Sequence, residues 1–439
     1  MAENFDVVIV GARCAGASLG ALLARRGLNV ALVEQTTFPR ETLSSHLFET
    51  DALAFLDRLG LAEQIRATGA PLINQAEMRF NDLFMSVALP QRNGDIGGVA
   101  SVRRHLLDSM LAQAAEEAGA SVQMATKATA LLTEVGRVVG VRVASNGTET
   151  ELRASLVVGA DGRNSSVARL CGSRKYNVTS NERVVYWGYF EGADSGPTPT
   201  FRFNRWDDRF VLALPTDSGL YQVGVWPEKS ELERFGGDHE ALFVDQYKRC
   251  EPIAESVAGA RRVGKLAGAV KWEGFFREAS GPGWVLAGDA GHFKDPAPGR
   301  GIGDALLQAD ALAPAIAAGL DGSEGGLDKA MSSWGRWRDK EFAEHYWLAN
   351  DLGKAGTVPA VLEEIVRRLY ERGEIAGFLD VLNHRAMPSE VVTPALLIGA
   401  LARLLVKSND RRGLLRETGA LGLVEAKRRR LNWRPAYAN

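Results

Sequence analysis

Residues 5–34 constrain the fold more than any other stretch of this 439-residue chain. Phe5–Val10 is a continuous apolar run carrying Val and Ile, as a strand buried in a parallel sheet requires. It leads through Gly11-Ala12-Arg13-Cys14-Ala15-Gly16 into a small-residue helical pattern over residues 14–27, closed by Gly27, and then into a second apolar run, Val30–Val33. In such a β-loop-α-β unit Gly11 permits the tight turn and Gly16 lets the helix pack closely on the strand. Glu34, at the end of the second strand, can accept from a ribose 2′-hydroxyl and repels a 2′-phosphate. The unit predicts dinucleotide binding, with the tightly held nucleotide not NADP. Arg13 stands at the middle position of the G-x-G-x-x-G pattern, where a glycine normally lets the backbone approach a pyrophosphate.

A second stretch, Gly288–Gly301, follows the apolar run Trp284–Ala287 and precedes a helical pattern beginning near Ile302. By itself it reads as an ordinary Pro/Gly turn or as a polar cradle for a phosphate-bearing cofactor. In the second reading Asp289 accepts from sugar-like hydroxyls, and the helix that follows offers unpaired N–H groups and the positive end of its dipole.

Between these stretches, residues 51–68 and 104–119 are amphipathic helical patterns. Val138–Val143 and Leu152–Val158 have strand character around a hairpin signal at Asn146-Gly147. From 182 to 280, aromatic and β-branched segments (Val184–Phe190, Thr200–Phe203, Phe210–Leu214, Leu220–Trp226) alternate with turn residues, predicting a mainly antiparallel sheet. After 328 the pattern is nearly all helical. Residues 403–434 hold ten Lys/Arg against three Asp/Glu, which reads as a solvated helical face or as a membrane-surface or partner-binding one. The expected organisation is 1–181, an inserted unit 182–280, a return segment 281–327 and a C-terminal helical region 328–439.

Composition narrows the classes. A net charge of −2 carries no basic excess for nucleic acid as the main partner. Cys14, Cys171 and Cys250 are too few and too scattered for a disulfide framework or a zinc site, and the six histidines show no ligand spacing, so no metal is expected. The N-terminus lacks a basic signal-peptide region and no apolar run reaches bilayer length, so no transmembrane segment is expected and a reducing, cytoplasmic compartment is.

Residues 5–34, Leu156–Val167 (Leu-Val-Val-Gly-Ala-Asp-Gly-Arg-Asn-Ser-Ser-Val) and 284–311 together resemble the single-component FAD-dependent aromatic hydroxylases, the para-hydroxybenzoate hydroxylase-like group. They are also similar to that group's relatives, the geranylgeranyl reductases and flavin-dependent halogenases. The resemblance covers about residues 3–325. It implies an α/β fold: a Rossmann-like FAD-binding domain with an inserted, mainly antiparallel β-sheet substrate domain and a C-terminal helical region. It further implies that Gly11, Ala12, Ala15 and Gly16 form the FAD pyrophosphate loop and that Glu34 holds the adenosine ribose. Arg104, with Arg103 as the near alternative, resembles the flavin-contacting residue, and Ala128 the adenine-side backbone contact. Asp289 resembles the ligand of the ribityl chain, while Pro296, Gly299, Gly301 and Ile302 resemble the loop beside the isoalloxazine ring. Asp161 matches a signature linked to FAD and NAD(P)H contacts, with helix capping as its plain alternative. Arg40 lies where the family's loop approaches the flavin, and Gly303 stands where many hydroxylases carry Asn. His292 is read as structural first and as a base second.

The resemblance implies NADH or NADPH as a transient electron donor, without a nucleotide domain of its own. It also implies molecular oxygen and a flavin hydroperoxide that hydroxylates an aromatic or polyketide-like small molecule. A halogenase of this group carries a lysine in its first hundred residues, whereas the first lysine here is Lys127, and no W-x-W-x-I-P motif occurs. The reductases carry Y-x-W-x-F-P; the corresponding Phe210–Pro215 keeps only the proline. An NAD(P)H-consuming monooxygenase is therefore the first expectation. Reduction of an isoprenoid-like double bond is the second, and a non-catalytic flavin-bearing binding protein the third. No catalytic side chain is assigned. Trp187, Tyr189, Phe201, Phe203, Phe210 and Tyr221 either floor a substrate cavity or fill an ordinary core. The C-terminal region covers the active site or makes a homodimer contact.

Overall fold

The computed structural model describes residues 3–322 and 325–438. Glu3–Val10 pairs in parallel with Val30–Val33 on one side and Thr148–Gly159 on the other, and Thr148–Gly159 pairs in parallel with Trp284–Leu286. Ser121–Gln123 extends the sheet beyond Val30–Val33. Val7–Val10 and Val30–Val33 are buried throughout, as strands covered on both faces must be. The register sets Val10 beside Val33 and Gly159, and Gly159 beside Leu286. The loops after four strands, remote in sequence, thus open along one edge, where α/β sheets place their ligands.

Helix Cys14–Ala24 packs against Arg104–Glu117 and Gly301–Leu320 through a shared apolar core. The pattern over 51–68 resolves into two helices, Thr50–Arg58 and Ala62–Ala67, because Gly60 adopts φ +83° between them. Asn146 and Gly147, at φ 50° and 78°, turn the hairpin between Arg137–Ser145 and Thr148–Gly159 as their dipeptide predicts.

The second sheet has seven strands in the order Arg261–Ala269, Val185–Glu191, Leu220–Val225, Arg209–Pro215, Thr200–Trp206, Gln75–Phe80 and Leu83–Ala88. The last two lie outside the 182–280 span in which the sheet was expected. They join through a parallel pairing of Gln75–Phe80 with Thr200–Trp206. Their burial alternates strictly along each strand, so one face meets the core and the other does not. Three short helices, Lys229–Arg234, His239–Lys248 and Glu251–Ser256, also stand within the span expected to be mainly antiparallel sheet. Leu242, Phe243 and Ile253 pack with Tyr186, Val223 and Val225 on one face of the sheet. Trp187, Phe203, Phe210 and Trp226 pack on the other, toward the first sheet's open edge.

The C-terminal region is helical: Gly326–Leu352, Ala360–Glu371, Ile375–Leu382, Pro394–Lys407 and Arg411–Trp433, with the single turn Pro388–Val391 among them. The first lies along Gly301–Leu320, and its buried Arg338 donates to the carbonyls of Gly291 (3.1 Å) and Arg277 (2.7 Å). The last returns to the body, where Arg428 pairs with Asp351 and the Trp347 indole donates to Asn432 at 2.9 Å.

Candidate active site

A cavity of about 750 Å³ opens where the parallel strands end and runs to the second sheet. Gly11, at φ +103°, sits so close to the next strand that a Cβ would stand 2.4 Å from the Ala160 carbonyl oxygen. A Cβ on Gly16 would stand 1.8 Å from the Gly11 carbonyl oxygen. Neither position tolerates a side chain. Gly11, Cys14 and Ala15 line the cavity at the start of the Cys14–Ala24 helix, whose first-turn N–H groups have no partner within the helix. Ala12 and Gly16 form the back of this turn and do not line the cavity. Arg13 lines it, and its guanidinium donates to the Thr42 hydroxyl at 2.6 Å.

Glu34 and Ala128 line one end. The Glu34 carboxylate accepts from the Ala12 amide (3.2 Å) and from the amide and hydroxyl of Thr36 (3.0 and 2.8 Å), so it also braces the glycine turn against the second strand. Arg104 lines the cavity, clamped by Asp108 through bonds of 2.8 and 3.0 Å, while its amide donates to His46 Nδ1. The near alternative, Arg103, points elsewhere and pairs with Asp217. Asp161 lines the wall and caps the helix Ser166–Leu170, accepting from the Ser166 and Val167 amides at 2.7 and 3.2 Å. Arg40 is exposed and does not line the cavity; Thr42 to Ser45 of the same loop do.

Asp289, Pro296, Gly299, Gly301 and Ile302 all line the cavity, the last two at the start of the Gly301–Leu320 helix. Among the described residues, Asp289 is the one lining carboxylate with no hydrogen-bond donor. Glu34, Asp161, Asp295 and Asp304 each have partners. Burial pushes Asp289 up to about 6. Behind the loop, Lys294 pairs with Asp304 at 2.6 Å, which helps hold the Asp304 carboxyl well below its ordinary range despite its burial. Arg300, almost fully buried, pairs with Asp51 (2.8 and 2.9 Å) and Glu49 (3.2 Å), and its guanidinium occupies the place a Gly303 side chain would take. The glycine at 303 is thus required by Arg300. His292 lies buried among Phe276, Phe342 and Tyr346, and burial holds it well below its ordinary value, so it is neutral.

The far wall comes from the second sheet and the strand end after it: Val185, Trp187, Ala269, Trp272 and Phe293. Of the six aromatics singled out from the sequence, Trp187 lines the cavity. Phe203 and Phe210 fill the core, Phe201 packs against it, and Tyr221 faces the covering helices. The Tyr189 hydroxyl meets His46 Nε2. Sequence reasoning assigned no role to Trp272, whose indole donates to Asp295 at 3.1 Å, or to Arg163; Arg163 stands inside the motif Leu156–Val167, and Trp272 within the span 182–280 but outside the segments singled out there.

These residues fit a flavin dinucleotide. Two helix N-termini face one cavity, the glycine turn admits a close backbone approach, and an undonated carboxylate stands between them and an aromatic wall. Known proteins agree. The family model described as FAD binding domain matches residues 4–333. The chain is 30% identical over 325 residues to a digeranylgeranylglycerophospholipid reductase of Methanocella arvoryzae, covering 70% of this chain and 76% of that protein. It is 26% identical to the menaquinone reductase of Mycolicibacterium smegmatis, covering 83% and 87%. The solved structure of the myxobacterial chondrochloren halogenase CndH superposes with a TM-score of 0.71 over 91% of this chain and 97% of that one; at 22% identity this likeness is one of fold.

Proposed function

The chain belongs to the FAD binding domain family of oxidoreductases, and from that premise we propose that it is a flavin-dependent reductase of a carbon–carbon double bond in an apolar, isoprenoid-like substrate, with NADH or NADPH as donor. The observation that carries this reading is the apolar wall of the cavity: Val185, Trp187, Ala269 and Trp272, with Phe293 beside them, offer a substrate contact area. It accords with the reductases of isoprenoid-bearing lipids among its relatives. FAD, when bound, supplies the two-electron chemistry. The protein's part is to bind and exclude water. The helix starts at Cys14 and Gly301 would hold the phosphates and the ring edge, Asp289 would accept from the ribityl hydroxyls, and Glu34 from the adenosine ribose. Arg104, fixed by Asp108, holds a positive charge beside the cofactor.

A second reading, hydroxylation of an aromatic or polyketide-like molecule with molecular oxygen, is favoured by Phe210–Pro215, which lacks the Tyr and Trp of the reductase motif. One experiment separates them. The FAD-loaded protein is reduced anaerobically with NADH or NADPH and mixed with a geranylgeranyl lipid, then with oxygen and candidate phenols. A product heavier by two hydrogens, formed without oxygen uptake, supports the reductase. An oxygen-labelled product overturns it in favour of hydroxylation.

A further inference from the structure

The last two helices each present an outer side that the fold leaves bare. Pro394–Lys407 buries only Leu396 and Ala400, packed over Ala360–Glu371. Its other side carries Ala395, Ile398, Ala402 and Val406, three or four residues apart and so on one face. Ile398 is 67% exposed and Val406 80%. Arg411–Trp433 buries only Leu414. On its outer side Leu415, Gly419, Gly422, Ala426 and Trp433 recur at helical spacing, with Leu423 at their margin; Leu423 and Trp433 are 76% and 75% exposed.

The unpaired charges of this helix are mostly basic. Arg412, Arg416, Lys427 and Arg430 border the apolar strip, are exposed, and make no ion pair among the described residues. Glu417 lies away from the strip; on the strip's other margin Arg429 takes up Glu425 at 3.1 Å, and Arg428 turns inward to Asp351. The chain as a whole is at −2, so this basic surface is local. A merely solvated face does not require Ile398, Val406, Leu423 and Trp433 in water together. A second copy of the chain would set these unpaired cations against their own kind.

We propose that helices Pro394–Lys407 and Arg411–Trp433 dock the protein on the surface of an anionic phospholipid bilayer. The arginines and Lys427 meet the headgroups, while Ile398, Val406, Leu423 and Trp433 enter the acyl boundary. No helix of the described residues is long and apolar enough to cross a membrane, so the contact is peripheral. The proposal goes beyond the reductase reading, and its test reads binding alone, so either can fail without the other.

The full-length FAD-loaded protein is floated with vesicles of phosphatidylcholine, or of phosphatidylcholine with phosphatidylglycerol, at low and high salt. Binding to the anionic vesicles that salt reverses is expected. The combined variant Arg412→Glu, Arg416→Glu, Arg430→Glu should partition at least about tenfold more weakly. Ile398→Asp with Val406→Asp should also weaken binding, with flavin absorbance and circular dichroism unchanged in both variants. Equal partitioning to the two vesicle types, no partitioning, or an unaffected arginine variant overturns the proposal. So does a dimer by light scattering that Ile398→Asp with Val406→Asp converts to monomer without any vesicle binding, which assigns the face to a second copy.

Discussion

Asp289 is a half-buried carboxylate that lines the cavity without a protein donor, and partial desolvation of that kind costs free energy. Its substitution by Ala should weaken FAD binding by about 1.5–3 kcal/mol, or roughly ten- to a hundredfold in Kd; fluorescence titration of apoprotein with FAD checks this. The same group gives the apoprotein a pH dependence. Its pKa in the fold is raised from 3.8 to about 6, so its contribution is fully present below pH 3.8 and lost as pH rises through 6. Apo Asp289→Asn should therefore melt higher than the parent at pH 7 and no differently near pH 3.8, as read by calorimetry across that range. Gly11 and Gly16 were legible from the sequence because their role is backbone space, which a motif encodes. The Arg300 cluster was not: Glu49, Asp51 and Arg300 are far apart in the chain, and only the fold shows that Gly303 yields its place to a guanidinium.

Elements carry the next level. Helix Gly326–Leu352 is tied to the loop behind Asp289 by one buried side chain, Arg338, whose guanidinium also meets Tyr176 and Asp339. Arg338→Ala takes a charged donor from the Arg277 carbonyl and from the Gly291 carbonyl, which keeps the Arg277 amide at 2.8 Å, and should destabilise the protein by about 1.5–3 kcal/mol, measured by urea denaturation. It should also loosen FAD in proportion, since Gly291 lies two residues after Asp289 in the same loop. Strands with a two-residue turn signal were readable, as at Asn146-Gly147. Residues 75–88 carry such a signal too, an alternating pattern folded back at Asn81 (φ 49°), yet their partner lies more than a hundred residues on and no local pattern names it. The wall of the cavity was legible at Trp187 and lost at Phe203 and Phe210. Alternation tells which residues share a face but not which part of that face the neighbouring domain leaves open.

For the whole molecule, the cofactor groups come from four strand ends that meet only in the folded chain, so FAD should act as a brace. Stripping it should lower the melting temperature, and a free FAD concentration a hundred times Kd should restore about 2.7 kcal/mol. A melting temperature indifferent to FAD would contradict the split site. The parallel pairing of Gln75–Phe80 with Thr200–Trp206 has a further reach. It stitches the second sheet into the chain at two distant points, so residues 182–280 expressed alone should remain unfolded by circular dichroism. The sheet is therefore no cassette that relatives could trade by recombination. On the proposed reading of the wall, single changes at Val185, Trp187, Ala269 and Trp272 should alter substrate preference while the surrounding sheet keeps its pairing.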